Sequence, residues 1–247
     1  MPFAFKSDVL KLPSEKNMSA VIDLPKTQTT SVATIKKATK FALETDACVI
    51  LSDVAWETYN QFVQETKDKT VNPRFYFEKE ILLIMPAMAK HERINYYIEL
   101  LINILTEEFQ IDCIGLGSTT YQREDIERGF EPDSCFYFKY EKEMRQKDKL
   151  DMNIDPAPEL IVEVDITSLS TNRQSIFAAF GVPEIWRFDG EKMYILKLVG
   201  EKYEEVSESL AIPSVTSEKL TEFVKSSETA SRLEWISSVR TWAKTVK

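Results

Sequence analysis

Two apolar segments of this chain each hold a carboxylate at a point where the sequence predicts a buried β-strand. The segment FEPDSCFYF contains Asp133, and the segment PELIVEVDI contains Glu163. An ionised carboxylate inside a protein is costly unless it is paired, so it usually has a cationic partner or a bound metal ion. Two such strands suggest two carboxylates that converge on one metal ion.

The second segment alternates between polar and apolar residues, as a strand with two different faces requires. Period-two alternation puts Glu163 and Asp165 on one face, together with Ile161. The opposite face is wholly apolar and carries Leu160, Val162, Val164 and Ile166. Asp133 directly follows Pro132 and begins its own strand. If the two strands are neighbours, three carboxylates gather within a few ångström of one another.

Two interpretations of this cluster are open from the residues alone. Close carboxylates repel one another unless a cation or a shared proton relieves the repulsion. A site made only of oxygen ligands suits Mg²⁺ or Mn²⁺. The same pattern is equally consistent with Glu163 and Asp165 pairing with Arg or Lys side chains of a neighbouring element.

Composition limits the class of protein. With 247 residues, 43% of them hydrophobic and 29% charged, the chain can form a globular protein with a sizeable core. No apolar run reaches the ~18 residues that span a membrane, and the beginning of the chain lacks a signal-peptide pattern. Three widely spaced cysteines fit a reducing compartment and do not resemble a zinc site. We therefore expect a cytoplasmic protein without a membrane partner.

The net charge of −9 constrains any interaction with nucleic acid. Avid, non-specific binding depends on a basic face that neutralises phosphates, and an acidic chain argues against it. The charge leaves room for a local basic patch, or for weak, metal-dependent binding by an enzyme.

Periodicity predicts helices and strands in alternation. Helical spacing of Trp56, Tyr59 and Val63 predicts a helix that Ser52 can cap. RFYFEKEILLIMP predicts a hairpin, and a long amphipathic helix follows over residues 90–109.

The second half of the chain continues this alternation. IDCIGLGSTTYQ predicts one strand, REDIERG a charged turn, and residues 139–158 a charged loop. A short helix ends at Gly181, a meander of strands follows over residues 184–207, and the tail returns to helix. The class is α/β or α+β, with a mixed central β-sheet flanked by helices. We expect an N-terminal extension over residues 1–48 and one domain over residues 49–247.

Longer strings carry a family resemblance. GSTTYQREDIERGFEPDSCFYF, followed by PAPELIVEVDITSLSTNRQSIFAAFGVPEIWRFDG, resembles the Uma-two type of restriction endonuclease family. That family is abundant in cyanobacteria and belongs to the PD-(D/E)XK nuclease superfamily. The resemblance covers residues 50–245 and implies a restriction endonuclease-like core there.

The resemblance also implies a site and a reaction. The "PD" of the superfamily falls on Pro132 and Asp133, and its second acidic position falls on Glu163. Together with the carbonyl of Val164, these two carboxylates would hold Mg²⁺ or Mn²⁺. The ion would activate water and stabilise charge on a scissile phosphate, most simply in DNA.

The chain departs from the superfamily at the position of its lysine. Asp165 stands where the E-x-K lysine would be, and the position that matches a lysine on the following helix is Arg173. Arginine can clamp a phosphate with two hydrogen bonds, but its pKa excludes it as a general base. Arg173 would therefore stabilise the transition state. The alternative is that it neutralises Glu163 or Asp165 in an inactive scaffold.

Four further residues are candidates for substrate binding. His91, the single histidine, opens the long helix at a recurrent family position, and Arg93 could extend a phosphate-facing patch. Ser118 and Thr119 precede the Asp133 strand and could touch a substrate backbone. For His91 the alternative is a cap or a packing residue, and for the other two it is plain strand packing.

Two functions thus compete at this point. The first is a metal-dependent endonuclease, and the second is a catalytically degenerate member of the family that acts as a binding or assembly module. The apolar hairpin strand ILLIMPAM and the FYF segments suggest a possible homodimer.

Overall fold

The computed structural model describes residues 41–42, 48–66, 73–86, 88–166 and 173–246. The chain divides into two units, Met1–Lys36 and Lys37–Lys247, and all of the described residues belong to the second. The predicted extension over residues 1–48 lies outside the described residues, except for residues 41–42 and Cys48. Its boundary stays a prediction.

Helices in the described part of the chain follow the apolar periodicity of the sequence. They are α1 (Trp56–Thr66), α2 (Ala89–Phe109), α3 (Glu141–Met144), α4 (Gln174–Phe180), α5 (Ser217–Ser226) and α6 (Arg232–Val246). The predicted stripe of α1, formed by Trp56, Tyr59 and Val63, is buried. Gly181 ends α4 in the left-handed conformation that favours glycine. None of the described helices combines the length and the apolar character needed to cross a membrane.

The described strands form two sheets. In chain order they are β1 (Phe41–Ala42), β2 (Val49–Leu51), β3 (Arg74–Glu78), β4 (Ile81–Met85), β5 (Ile114–Gly115), β6 (Tyr121–Arg123), β7 (Arg128–Phe130), β8 (Ser134–Tyr137), β9 (Leu160–Val164), β10 (Glu184–Phe188), β11 (Met193–Val199) and β12 (Lys202–Val206). The first sheet has the order β1-β2-β4-β3-β7-β6, and the second has the order β12-β11-β10-β9-β8-β5. The second sheet is mixed, because β9 runs parallel to β10 and antiparallel to β8. The mixed α/β class is confirmed.

Strand β9 lies inside the second sheet and is buried on both faces. Leu160, Val162 and Val164 pack in an apolar cluster that also contains residues of α2, α5 and α6. Ile161, on the opposite face, packs in a second cluster with residues of α4, β3 and β7. The predicted alternation is therefore confirmed, and the face that carries Glu163 points towards the first sheet and α4.

Two predicted strands are interrupted. IDCIGLGSTTYQ forms β5 in one sheet and β6 in the other, since the chain turns at Gly117, which has a φ of +58°. The strand expected around Asp133 is divided in the same way into β7 and β8, with Pro132 between them, and proline cannot donate a ladder hydrogen bond. The charged turn contains a short 3-10 helix at Glu124–Ile126, and the charged loop contains α3.

The apolar segments that suggested a homodimer are mostly inside this unit. In β4, Leu82 and Leu83 are buried while Ile81 is 50% exposed, and Phe136 and Tyr137 of β8 are buried as well. The homodimer stays a prediction.

Packing between α1 and the first sheet requires glycine at position 129. A Cβ there would lie 2.1 Å from the Tyr59 hydroxyl oxygen and 2.7 Å from ring carbon Cζ. Tyr59 cannot easily move, because it is fully buried and stacks on Phe77 with ring centroids 4.9 Å apart.

We predict that Gly129→Ala lowers the free energy of unfolding by about 1–3 kcal/mol, the usual cost of overpacking a core. Urea denaturation measures the change. Combining it with Tyr59→Leu, which makes room for the methyl group, should cost less than the two single changes added together. Simple additivity would contradict the contact.

Candidate functional site

Pairing of β8 with β9 brings the two predicted carboxylates together. Ser134 is in register with Val162, so Asp133, one residue before β8, lies beside Glu163. The Val164 amide donates a hydrogen bond of 2.6 Å to Asp133 Oδ2, which fixes the junction. Asp133 is 4% exposed and Glu163 is 2% exposed, so both carboxylates lie in the protein interior.

Asp133 is neutralised from β3 and from the beginning of α2. The Arg74 Nε atom of β3 lies 2.9 Å from Asp133 Oδ1. The His91 Nε2 atom of α2 lies 3.0 Å from Asp133 Oδ2. With the Val164 amide included, a guanidinium, an imidazole and a backbone N–H face this one carboxylate.

Glu163 is paired with Arg173, which immediately precedes α4. The Arg173 Nη1 atom lies 2.7 Å from Glu163 Oε2. The Tyr76 hydroxyl lies 3.3 Å from both oxygens of Glu163 and can donate to one of them. The Arg173 guanidinium also stacks over the Tyr76 ring, 4.6 Å from its centroid. Strand β3 therefore contributes to the site through Arg74 and Tyr76.

Asp165 lies just beyond the end of β9 and is 7% exposed. Its Oδ2 atom is 3.3 Å from Arg187 Nη2 and 3.7 Å from Arg173 Nη2. Its Oδ1 atom is buried without a hydrogen-bond partner among the described residues. A buried oxygen of this kind is a rare exception in proteins and has spare capacity for a cation or a water molecule.

Burial and pairing shift the protonation of these groups. Burial raises the pKa of Glu163 to about 7, because desolvation outweighs the opposing effect of Arg173. Burial also raises the pKa of Tyr76 well above its ordinary value, so its hydroxyl stays protonated. Burial disfavours the charged form of His91, but its contacts with Asp133 and Glu92 prevail and raise its pKa to about 9. His91 is therefore an imidazolium at neutral pH.

The predicted site residues separate into two groups. The structure brings together Asp133, Glu163, Val164, Asp165, Arg173 and His91. Arg93 is exposed on α2. Ser118 and Thr119 lie in the turn between β5 and β6, not on a strand, and the Thr119 hydroxyl donates to the Leu116 carbonyl. No contact between these three residues and the carboxylates occurs in the described part of the chain, and their binding roles stay predictions.

The donor chemistry of the site suits a divalent ion, although the carboxylates are not arranged as a ready metal cluster. No group of three or more His, Cys, Asp or Glu side chains in the described ranges is placed to hold a metal ion. Instead, Arg74 faces Asp133, Arg173 faces Glu163 and Asp165, and Arg187 faces Asp165. The orphaned Asp165 Oδ1 atom and the neighbouring Glu163 offer the oxygen ligands that Mg²⁺ and Mn²⁺ prefer.

A comparison with protein families identifies the chain. The model of a family described as "Uma2: Putative restriction endonuclease" matches residues 56–223, a range that contains every carboxylate and guanidinium of the site. The chain belongs to the Uma2 family. The resemblance of its motifs to that family is thereby confirmed. No protein of curated function matches the chain.

One solved structure with a related fold is the crystal structure of a putative nuclease belonging to DUF820 from Anabaena variabilis. It is 14% identical, the alignment covers 62% of this chain and 90% of that chain, and the TM-score is 0.43. The match to the family model, rather than this similarity, supports the functional conclusion.

Sequence reasoning missed three residues of the site, namely Arg74, Tyr76 and Arg187. Two of them, Arg74 and Arg187, have a weak signal in the sequence. Arg74 opens the otherwise apolar strand RFYF, where a buried cation needs an acidic partner. Arg187 follows the alternation of β10, which puts it on the same face as Ile185 and in register with Glu163. The partners of these side chains come from distant parts of the chain, so local patterns do not reveal them.

The imidazole of His91 is a direct reporter of the Asp133 pair, because this is the single histidine of the chain. We predict that NMR titration of the metal-free protein gives a midpoint of about 9 for His91. Asp133→Asn should lower the midpoint towards the ordinary ~6.5, since burial is then opposed by Glu92 without Asp133. Glu141→Gln, at a buried carboxylate that pairs with Arg145, is the control and should leave the midpoint unchanged.

The raised pKa of His91 also determines how its contribution to the free energy of unfolding changes with pH. Because the folded-state pKa of His91 is raised, its contribution to stability is fully present below about pH 6.5. That contribution disappears as the pH rises through about 9. A wild-type midpoint near 6.5 would contradict the predicted pair.

Removal of Arg173 should lower the free energy of unfolding more than removal of an exposed cation does. Removing one partner of a buried ion pair costs about 3–5 kcal/mol, so Arg173→Met should lower the free energy of unfolding by that amount at pH 8. The loss should shrink below pH 6, because the pKa of Glu163, about 7 in the wild type, rises further without Arg173, and the protonated carboxyl needs no counter-charge. Urea denaturation at both pH values measures the difference.

Lys192→Met is the control for this experiment, because Lys192 pairs with Glu205 at the surface. Its removal should change the free energy of unfolding by at most about 0.5 kcal/mol. Equal stability of Arg173→Met and wild type at pH 8 would rule out the buried pair.

Proposed function

We propose that this protein is an endonuclease that hydrolyses phosphodiester bonds in DNA with the help of Mg²⁺ or Mn²⁺. The observation that supports it is the pairing of β8 with β9, which sets Asp133 beside Glu163 in the protein interior. In a chain that belongs to a restriction endonuclease family, these carboxylates occupy the positions of the acidic residues of the superfamily motif. Phosphodiester hydrolysis by a nuclease accounts both for the adjacent buried carboxylates and for the family membership.

The ion would be held by Asp133, Glu163 and the carbonyl of Val164, with Asp165 Oδ1 as a further oxygen ligand. When bound, a divalent ion lowers the pKa of water and offsets negative charge on the scissile phosphate. Asp133 has one oxygen largely occupied by His91 and the Val164 amide, so its Oδ1 atom is the more available ligand.

In this proposal, Arg173, His91 and Tyr76 orient the carboxylates or neutralise their charge, and none of the three acts as a general base. Arg173 stays charged at all accessible pH values and holds Glu163 in place. His91 is already protonated at neutral pH, so it donates to Asp133 and cannot accept a further proton. The buried Tyr76 hydroxyl keeps its proton and donates to Glu163. The nucleophile must therefore be water activated outside this set of side chains.

Cleavage of supercoiled plasmid and single-stranded DNA with Mn²⁺ tests the proposal. We expect cleavage by wild type and a loss of at least about 100-fold in Asp133→Asn and Glu163→Gln, because each removes a negative oxygen ligand. The control Glu141→Gln should cleave within about threefold of wild type, since a carboxylate that pairs with Arg145, away from the chemistry, carries no transition-state interaction. Far-UV circular dichroism and melting temperatures verify that the variants are folded. An inactive wild type, or equally active variants, would refute the proposal.

A second candidate is a binding or assembly module without catalysis. It is favoured by the three guanidiniums that already face the carboxylates, one for each. Calorimetric titration with Mn²⁺ separates the two candidates. Heat of binding that disappears in Glu163→Gln supports the enzyme, whereas no heat and a melting temperature unaffected by chelator support the module.

A further inference from the structure

We propose that Arg187, rather than Arg173, is the guanidinium that contacts the phosphate of the substrate. This inference rests on the proposed nuclease function and assigns a role that the motif comparison gives to Arg173. It follows from the accessibility, the register and the unused hydrogen-bond donors of the arginines in the site.

Arg173 is enclosed by protein. Its side chain is 7% exposed, and it pairs with Glu163 and lies near Asp165. One face of the guanidinium stacks on the Tyr76 ring, and Nη1 also contacts the sulfur of Met85 at 3.4 Å. To reach a phosphate, Arg173 would have to leave a carboxylate that is itself almost fully buried. Such a move would leave an unpaired buried charge, which is strongly unfavourable.

Arg74 is no more available. Its side chain is 10% exposed, and it joins Asp133 to Glu92, whose carboxylate accepts a hydrogen bond of 2.8 Å. Its contacts hold β3 against the beginning of α2, through Glu92, and against the residue before β8, Asp133. Arg74 therefore has a positioning role within the protein.

Arg187 has the right register and is partly open to solvent. Arg187 is the register partner of Glu163 in the parallel strands β9 and β10, so the two side chains lie on the same face of the sheet. Its side chain is 31% exposed, and its ion pair with Asp165 involves Nη2 at 3.3 Å. No hydrogen bond from its other guanidinium nitrogens to protein is found in the described part of the chain. The second N–H of Nη2 and an N–H of a neighbouring nitrogen form one edge of the guanidinium, and that edge can donate to two phosphate oxygens in the parallel geometry that guanidinium favours.

The residues around Arg187 would allow a substrate phosphate to bind beside a divalent metal ion. Asp165, the ion-pair partner of Arg187, carries the buried Oδ1 atom, for which the residues that the structure describes provide no hydrogen-bond partner. A divalent ion at that oxygen would lie next to a phosphate on Arg187, which is the arrangement that phosphodiester hydrolysis needs. The Tyr194 ring, 5.9 Å from the guanidinium, limits its positions from the other side, and its hydroxyl donates to Asp189.

Binding of a short duplex DNA, followed by fluorescence anisotropy with Ca²⁺ as the probe cation, tests this assignment. We expect Arg187→Met to weaken binding about 5–20-fold and to make the slope of log K against log salt shallower by about 0.9, as the loss of one phosphate contact requires. The melting temperature should fall by no more than about 4 °C, because Arg187 is partly exposed and Arg173 still faces Asp165 after Arg187 is replaced. Arg187→Lys should restore the salt slope but only part of the cleavage rate, since lysine cannot hold two oxygens at once.

Lys192→Met is the matched control. Lys192 contacts the same Tyr194 ring at 4.6 Å and carries the same charge, but it pairs with Glu205 rather than with the carboxylate cluster. Its removal should change DNA affinity less than twofold. If Arg187→Met binds and cleaves like Lys192→Met, the assignment is overturned while the nuclease proposal stands. If wild type neither binds nor cleaves DNA, both are overturned.

Discussion

The fold around the site depends on one constraint, which is that the charges of three buried carboxylates must be balanced inside the protein. Asp133, Glu163 and Asp165 lie at or beyond the ends of neighbouring strands, where little solvent reaches them. Their counter-charges come from β3, from the residue before α4, and from β10. An unpaired charge at any of these places would cost several kcal/mol, roughly a third or more of the stability of a typical domain. The two sheets and α2 are therefore joined by ion pairs as well as by apolar packing.

The same balance of charge affects which ligands the site could bind. With three guanidiniums and a protonated His91, the three carboxylates are already neutralised within the described residues. A divalent ion would make this cluster locally positive, and a phosphodiester would then supply the compensating negative charge. For the proposed nuclease, with its net charge of −9, such a local reversal would favour a metal ion and a substrate that bind together over avid binding of nucleic acid alone.

Much of the fold was predictable, because periodicity reports directly on which face of an element is buried. The α1 stripe, the β3–β4 hairpin, α2, and the two faces of β9 follow from spacing alone. The predictions that were wrong treated an interrupted segment as one continuous strand. IDCIGLGSTTYQ and the segment around Pro132 looked like single strands, yet each crosses from one sheet to the other. A hydrophobic pattern does not record which sheet a residue joins, since both sheets bury apolar side chains equally well.

By itself, the sequence determined that Asp133 stands at the start of a buried strand, that Glu163 is set into another, and that Glu163 and Asp165 share a face. It did so because alternation and burial are local properties that a strand imposes on its own residues. Only the tertiary structure decided which cations meet those carboxylates. Arg74 precedes Asp133 by 59 residues, and Arg187 reaches Asp165 only because β10 runs parallel to β9. Ion pairs between such distant residues depend on strand order, which no local pattern in the sequence specifies.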